Sequence, residues 1–113
     1  MHELSIAMNI LSIAEEECRK AGLHKVEEVQ LLVGNLSGVD TEALITCLHI
    51  ATRDTLLQSA RILLDRKDGK GYCSGCEEEF YMADLLTPCP VCFQPPTEFR
   101  AGQELQIIAI RAE

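Results

Sequence analysis

From Glu3 to about Ala21, apolar residues recur every three or four positions, at Leu4, Ala7, Met8, Leu11, Ala14 and Cys18, with Ile6, Ile10 and Ile13 widening the stripe. That period predicts an amphipathic helix with a broad buried side. Glu15, Glu16, Glu17, Arg19 and Lys20 fall mostly on the remaining surface as a solvated face, and Gly22 offers a left-handed terminator. Val26, Val29, Leu31 and Val33 then predict a strand ending near Leu36, followed by a turn through Ser37, Gly38 and Asp40. Asp40 is suited to cap a second helix, because its carboxylate can accept a backbone N–H at the positive end of the helix dipole. Leu44, Cys47, Leu48 and Ala51 share one stripe of that helix, which fades around Arg53; Leu56 and Leu57 either extend it or form a separate turn. From Ala60 to Arg66, Ile62 and Leu64 alternate with Arg61, Leu63 and Asp65, as in a short strand, and Asp68, Gly69, Lys70 and Gly71 break the pattern. Glu104 to Arg111, with Ile107, Ile108 and Ile110, predicts a last strand.

The order is therefore helix, strand, helix, strand, cysteine-rich segment, strand. Because the last strand follows the cysteines, the expected architecture is α+β: a small sheet covered by two helices and interrupted by an inserted, zinc-ribbon-like module. The expected domains are residues 1–69 with 101–113, and the insert at 70–100.

Within the insert, Cys73, Cys76, Cys89 and Cys92 form C-x2-C-x12-C-x2-C. Each C-x2-C turn can aim two thiolates at one metal, and Glu77 to Pro88 is expected to form a short hairpin that brings the turns together. Four thiolates complete a tetrahedral zinc shell with no open position, so such a metal is structural. A module of roughly 30 residues buries too little apolar surface to offset its chain entropy, and needs a staple of this kind. Thioredoxin-like redox chemistry is the rival, but it needs one C-x2-C at a helix N-terminus rather than two pairs around a polar segment. Cys18 and Cys47 lie on apolar helical stripes and are expected to be inert core residues.

Composition narrows the function. The 113 residues are 47% hydrophobic and 25% charged, a globular mixture, and the formal net charge of -8 repels phosphate backbones, so no nucleic-acid partner is expected. No apolar run reaches the roughly 18 residues of a membrane span, and the N-terminus has no basic n-region or h-region. The chain is accordingly expected in the cytoplasm, without a membrane partner. No nucleophile and base pair stands out, and no enzymatic activity is expected.

The first residues pose a separate question. His2 puts an imidazole, its own amide nitrogen and the Met1 amine in one short segment, a nitrogen-rich set of the kind that nickel(II) and copper(II) favour, with Glu3 as a further donor. A polar residue ahead of a helix would look the same, and His24 and His49 read as incidental.

The opening MHELSIAMNIL, the segment VGNLSGVDTEAL, the pairs CSGC and CPVC, and the closing GQELQIIAI together resemble the hydrogenase-maturation nickel chaperone family, HypA/HybF, across essentially the whole chain. The resemblance implies nickel binding by Met1, His2 and Glu3, zinc binding by Cys73, Cys76, Cys89 and Cys92, and a non-enzymatic metallochaperone. It also implies a nickel-handling GTPase as partner and the large subunit of [NiFe]-hydrogenase as client, with urease as a second client in some organisms. The sequence departs from the family at Thr41, where many relatives have Pro, and at Phe93, where they have Gly or His. A left-handed Phe93 would carry strain of roughly 1–2 kcal/mol, and the second cysteine turn is expected to be irregular. Residues 70–100 contain no histidine that could exchange with a thiolate. The alternative reading is a zinc-ribbon protein-interaction adaptor that carries no nickel.

Overall fold

The computed structural model describes residues 2–113. Helix α1 (Glu3–Ala21) is followed by β1 (Val26–Gly34), α2 (Thr41–Ala51), β2 (Arg61–Lys67), β3 (Gly69–Cys73), β4 (Glu78–Met82), β5 (Glu98–Ala101) and β6 (Leu105–Ala112). The strands form two three-stranded sheets, ordered β2-β1-β6 and β4-β3-β5. The α+β expectation holds, and the cysteine segment does interrupt the first sheet between β2 and β6. The second sheet is an addition that the pattern of the chain did not predict.

The chain groups into two compact units. The first comprises Met1–Leu31, Val39–Leu64 and Ile107–Glu113; the second comprises Leu32–Gly38 and Asp65–Gln106. In the first unit α1 packs on α2. Ala7, Ile10, Leu11, Ala14 and Cys18 of α1, Val26, Val29 and Leu31 of β1, Leu44 and Leu48 of α2, and Leu57 are all buried. Helix α1 stops where Gly22 turns left-handed at φ 70, with Leu23 N–H donating to Cys18 O and Gly22 N–H to Arg19 O, which satisfies the last carbonyls. Asp40 caps α2 as its sequence position predicts: Oδ1 accepts from Glu42 N at 3.0 Å and Ala43 N at 3.2 Å. Lys25, just ahead of β1, exchanges main-chain hydrogen bonds with Glu113, and Val26 N–H donates to Leu56 O.

Two expectations for this unit are corrected. Leu4, Met8 and Ile13 are 45%, 48% and 51% exposed, so the buried face of α1 is the narrower 7-10-11-14-18 stripe that meets the neighbouring elements. Cys47 is only half-buried: α2 presents Leu44 and Leu48 inward, and Cys47 sits to the side of that line.

In the second unit β3 pairs antiparallel with both β4 and β5, with Gly69 opposite Met82 and Cys73 opposite Glu78. The glycines read as breakers are what allow this packing. A Cβ on Gly69 would lie 2.6 Å from Met82 O, and one on Gly71 would lie 2.6 Å from Met82 Sδ. Glycine is needed wherever backbone approaches this closely. Gly34 is tighter still, because a Cβ there would overlap the Gly102 carbonyl, and Gly102 itself has φ 102. Gly34→Ala is therefore expected to cost about 3 kcal/mol, the upper end for overpacking, since backbone rather than a flexible side chain must yield. An unchanged urea midpoint would show that the strand can shift without loss.

Candidate metal centre

The four spaced cysteines converge in the second unit. Their Sγ atoms all lie within 4.8 Å of one another, with Cys73 and Cys92 sulfurs 3.6 Å apart, and all four are free thiols. A tetrahedral shell with zinc–sulfur bonds of about 2.3 Å needs sulfurs roughly 3.8 Å apart, a spacing that the observed distances bracket, so the donor set fits zinc. Cys73 and Cys89 are buried, and with Leu36, Phe80 and Met82 they form a small core against which Cys76 and Cys92 pack. This is the group of metal-binding type found among the described residues.

The local chain explains the convergence, and it differs from the expected hairpin. Glu77 to Pro88 does not bring the pairs together as a unit. The Cys73–Cys76 turn is itself the reversal between β3 and β4, and the second pair follows β4 on a loop closed by Phe93 N–H to Cys89 O at 2.8 Å and Cys89 N–H to Gln94 O at 2.9 Å. The residue after each second cysteine is left-handed, with φ 55 at Glu77 and 62 at Phe93. Phe93 does adopt the strained conformation, but the second turn is not irregular: it repeats the left-handed step of the first. The Cys92 backbone N–H, aided by that of Val91, lowers the Cys89 thiol to about 7 against the opposing effect of burial. By contrast, the hydrogen bond with Cys92, together with burial, pushes Cys76 up to about 12. The thiolate is therefore most favoured at the Cys89 turn, whose backbone donors point at sulfur.

The other candidate residues lie at the start of α1. His2 is the N-cap residue, with no side-chain capping bond, and its imidazole is 64% exposed. Glu3 is largely covered, at 15%; its Oε2 is 3.9 Å from His2 Nε2 and accepts from Asp40 N at 3.4 Å. That bond ties the start of α1 to the cap of α2. Hydrogen bonding from the Asp40 backbone, helped by Glu3's own, holds the Glu3 carboxyl below its usual range. Because the folded pKa is depressed, Glu3's contribution to stability is present at neutral pH and lost as acid carries the pH down through the folded value. The role expected of Met1 lies outside the described residues. The contact from Glu3 to Asp40 was not anticipated, since it joins residues 37 apart with nothing local to announce it.

A family model described as "Hydrogenase/urease nickel incorporation, metallochaperone, hypA" matches residues 1–112. The chain belongs to this family. A protein from Chlorobaculum parvum named "Hydrogenase maturation factor HypA" is 37% identical over 113 residues, covering the whole of both chains. One of the same name from Parabacteroides distasonis is 40% identical over 110 residues, covering 97% of this chain and 96% of its own. The fold matches the solution structure of the Ni metallochaperone HypA from Helicobacter pylori with a TM-score of 0.70 at 21% identity, over 99% of this chain and 97% of that one. Family membership thus joins a four-sulfur site that fits zinc to a role in nickel incorporation for hydrogenase maturation. No helix among the described residues is long and apolar enough to cross a membrane.

Proposed function

We propose that this chain carries nickel(II) at its N-terminus, on Met1, His2 and Glu3, and delivers it to a hydrogenase being assembled, while Cys73, Cys76, Cys89 and Cys92 hold a structural zinc. The observation that carries this reading is the match to a nickel-incorporation family over residues 1–112, which includes the Met-His-Glu opening.

The chemistry of a helix start supports the assignment. The hydrogen-bond ladder of α1 begins with Ile6 N–H donating to His2 O. As N-cap, His2 has an amide ahead of that ladder, so nickel can displace its proton without breaking a helical bond. The exposed imidazole and the Met1 amine complete a nitrogen-rich set that suits a square-planar ion. One effect opposes binding: the N-terminal end of the helix dipole is positive and disfavours a cation. Glu3, kept ionised beside His2, offsets it, and its bond to Asp40 holds the carboxylate in position.

Cargo must leave. Nickel held by a few donors on an exposed chain end exchanges readily, whereas the zinc, ringed by thiolates on two turns, supplies a fixed cross-link and takes no part in transfer. The carrier role needs no catalytic residue. A nickel-handling hydrogenase-maturation GTPase as partner and the [NiFe]-hydrogenase large subunit as acceptor, with urease as a second client, complete the proposal.

Metal analysis of the untagged protein, with and without added nickel, tests it. About one zinc per chain is expected in both samples, and nickel only in the second, with a mild chelator removing nickel well before zinc. Failure to take up nickel would leave the adaptor reading, and loss of zinc first would reverse the two roles.

A further inference from the structure

We propose that the second cysteine turn of the metal module is a docking surface for a partner segment in which apolar side chains alternate with lysine or arginine. The proposal is independent of nickel binding.

Four large apolar residues are displayed around this turn: Leu86 is 90% exposed, Phe93 73%, Val91 64% and Leu85 51%. None belongs to the module's own core, which is made of Leu36, Phe80, Met82 and the cysteines. Leu85, Leu86, Phe93 and the prolines 88, 95 and 96 line a groove of about 270 Å³. Prolines on its rim fix its shape in advance, which reduces the ordering lost on binding. Phe93 has φ 62, a strained conformation for a bulky residue that glycine would adopt freely. The left-handed step belongs to the turn, as at Glu77, but the choice of a bulky apolar residue there places an exposed ring beside the groove rather than in the core.

Charge identifies the occupant. From Gly71 to Phe99 the chain carries Glu77, Glu78, Glu79, Asp84 and Glu98 and no Lys or Arg. Glu79 and Glu98 are compensated from outside that stretch by Lys70 and Arg100. Among the described residues, Glu77, Glu78 and Asp84 make no ion pair. Glu77 holds the left-handed position of the first turn that Phe93 holds in the second. Asp84 Oδ1 accepts from Leu86 N at 2.9 Å and from the Thr87 hydroxyl at 3.3 Å, making the turn that displays the two leucines. An apolar patch in a segment that carries unpaired carboxylates and no cation, with Asp84 at the turn itself, selects a partner that offers apolar anchors and cations together, and repels acidic segments.

Fluorescence anisotropy of the zinc-loaded full chain with a short labelled peptide of alternating Leu-Lys and Phe-Arg pairs tests the proposal. Binding is expected, and it should disappear when Glu replaces Lys and Arg in the peptide, or when Ser replaces Leu and Phe. Phe93→Gly and Leu86→Ser should each weaken it about tenfold, as loss of a central anchor does. Asp84→Asn with Glu77→Gln, which keeps the turn acceptor at residue 84, should weaken it severalfold and flatten its salt dependence. Phe93→Gly separates docking from structure, because relieving the strain should leave zinc retention equal or better while the peptide is lost. Parental peptide binding by Phe93→Gly would overturn the proposal, as would loss of its zinc or equal binding of the Ser peptide. So would an occupant of another kind, seen as binding to phosphatidylcholine vesicles or as a Phe93-dependent dimer in sedimentation.

Discussion

Replacing Cys89 with serine is expected to unfold the segment from β3 to β5 while α1 and α2 keep their helicity. Apart from the metal, the module is held by Leu36, Phe80, Met82 and the buried cysteines, a core too small to offset the entropy of ordering its chain. Structural zinc in small modules contributes an apparent 10–16 kcal/mol at neutral pH, and that binding energy is folding energy. Serine removes the thiolate that the Cys92 and Val91 amides favour, and it also leaves those donors without their sulfur acceptor. The first unit draws its stability from α1, α2 and the first strand, whose buried residues include no zinc ligand. Zinc content should fall to near zero, resonances from Gly69 to Ala101 should collapse to unfolded shifts, and far-ultraviolet circular dichroism should retain its helical signal. A zinc-free variant with those resonances still dispersed would show that the apolar core suffices. Loss of the helices as well would show that 70–100 does not fold as a separate module.

The features that were legible in the sequence are those set by neighbours in the chain. The period of α1, its Gly22 stop, the Asp40 cap and the convergence of two C-x2-C turns each depend on residues within a turn or two, and each is seen in the structure. The second sheet was not legible, because β3 and β4 read GKGYC and EEFYM, with no apolar alternation strong enough to signal strands. Their pairing depends on the close approaches that Gly69 and Gly71 allow, and locally those residues look like breakers. The period of α1 could not tell which apolar positions would find a neighbour, so Leu4, Met8 and Ile13 looked like core until tertiary contacts assigned the stripe. Glu3 was named as a metal donor from its position, but its tie to the cap of α2 depends on the packing of two helices.

That tie bears on the proposed nickel site, where the second large effect is expected. His2→Ala should abolish nickel binding and leave the fold intact, because the imidazole is 64% exposed and makes no capping bond. A Gly-Ser extension ahead of Met1 should be just as harmful, although it retains every side chain, because it converts the terminal amine into a peptide nitrogen and moves the new amine out of reach. Protons compete with nickel for the imidazole and the amine, so affinity should fall as the solution is acidified. Glu3, held ionised below the usual carboxylate range, stays an anion, so the acid sensitivity of binding should come from proton competition at the nitrogen donors rather than from the carboxylate. Glu3→Gln should therefore weaken binding less than His2→Ala and leave the shape of its pH dependence unchanged. Calorimetric titration of the parent, His2→Ala, Glu3→Gln and the extended chain with nickel at two pH values checks all of this. Full affinity in the extended chain would exclude the Met1 amine and leave His2 to bind with carboxylate donors at Glu3 or Asp40.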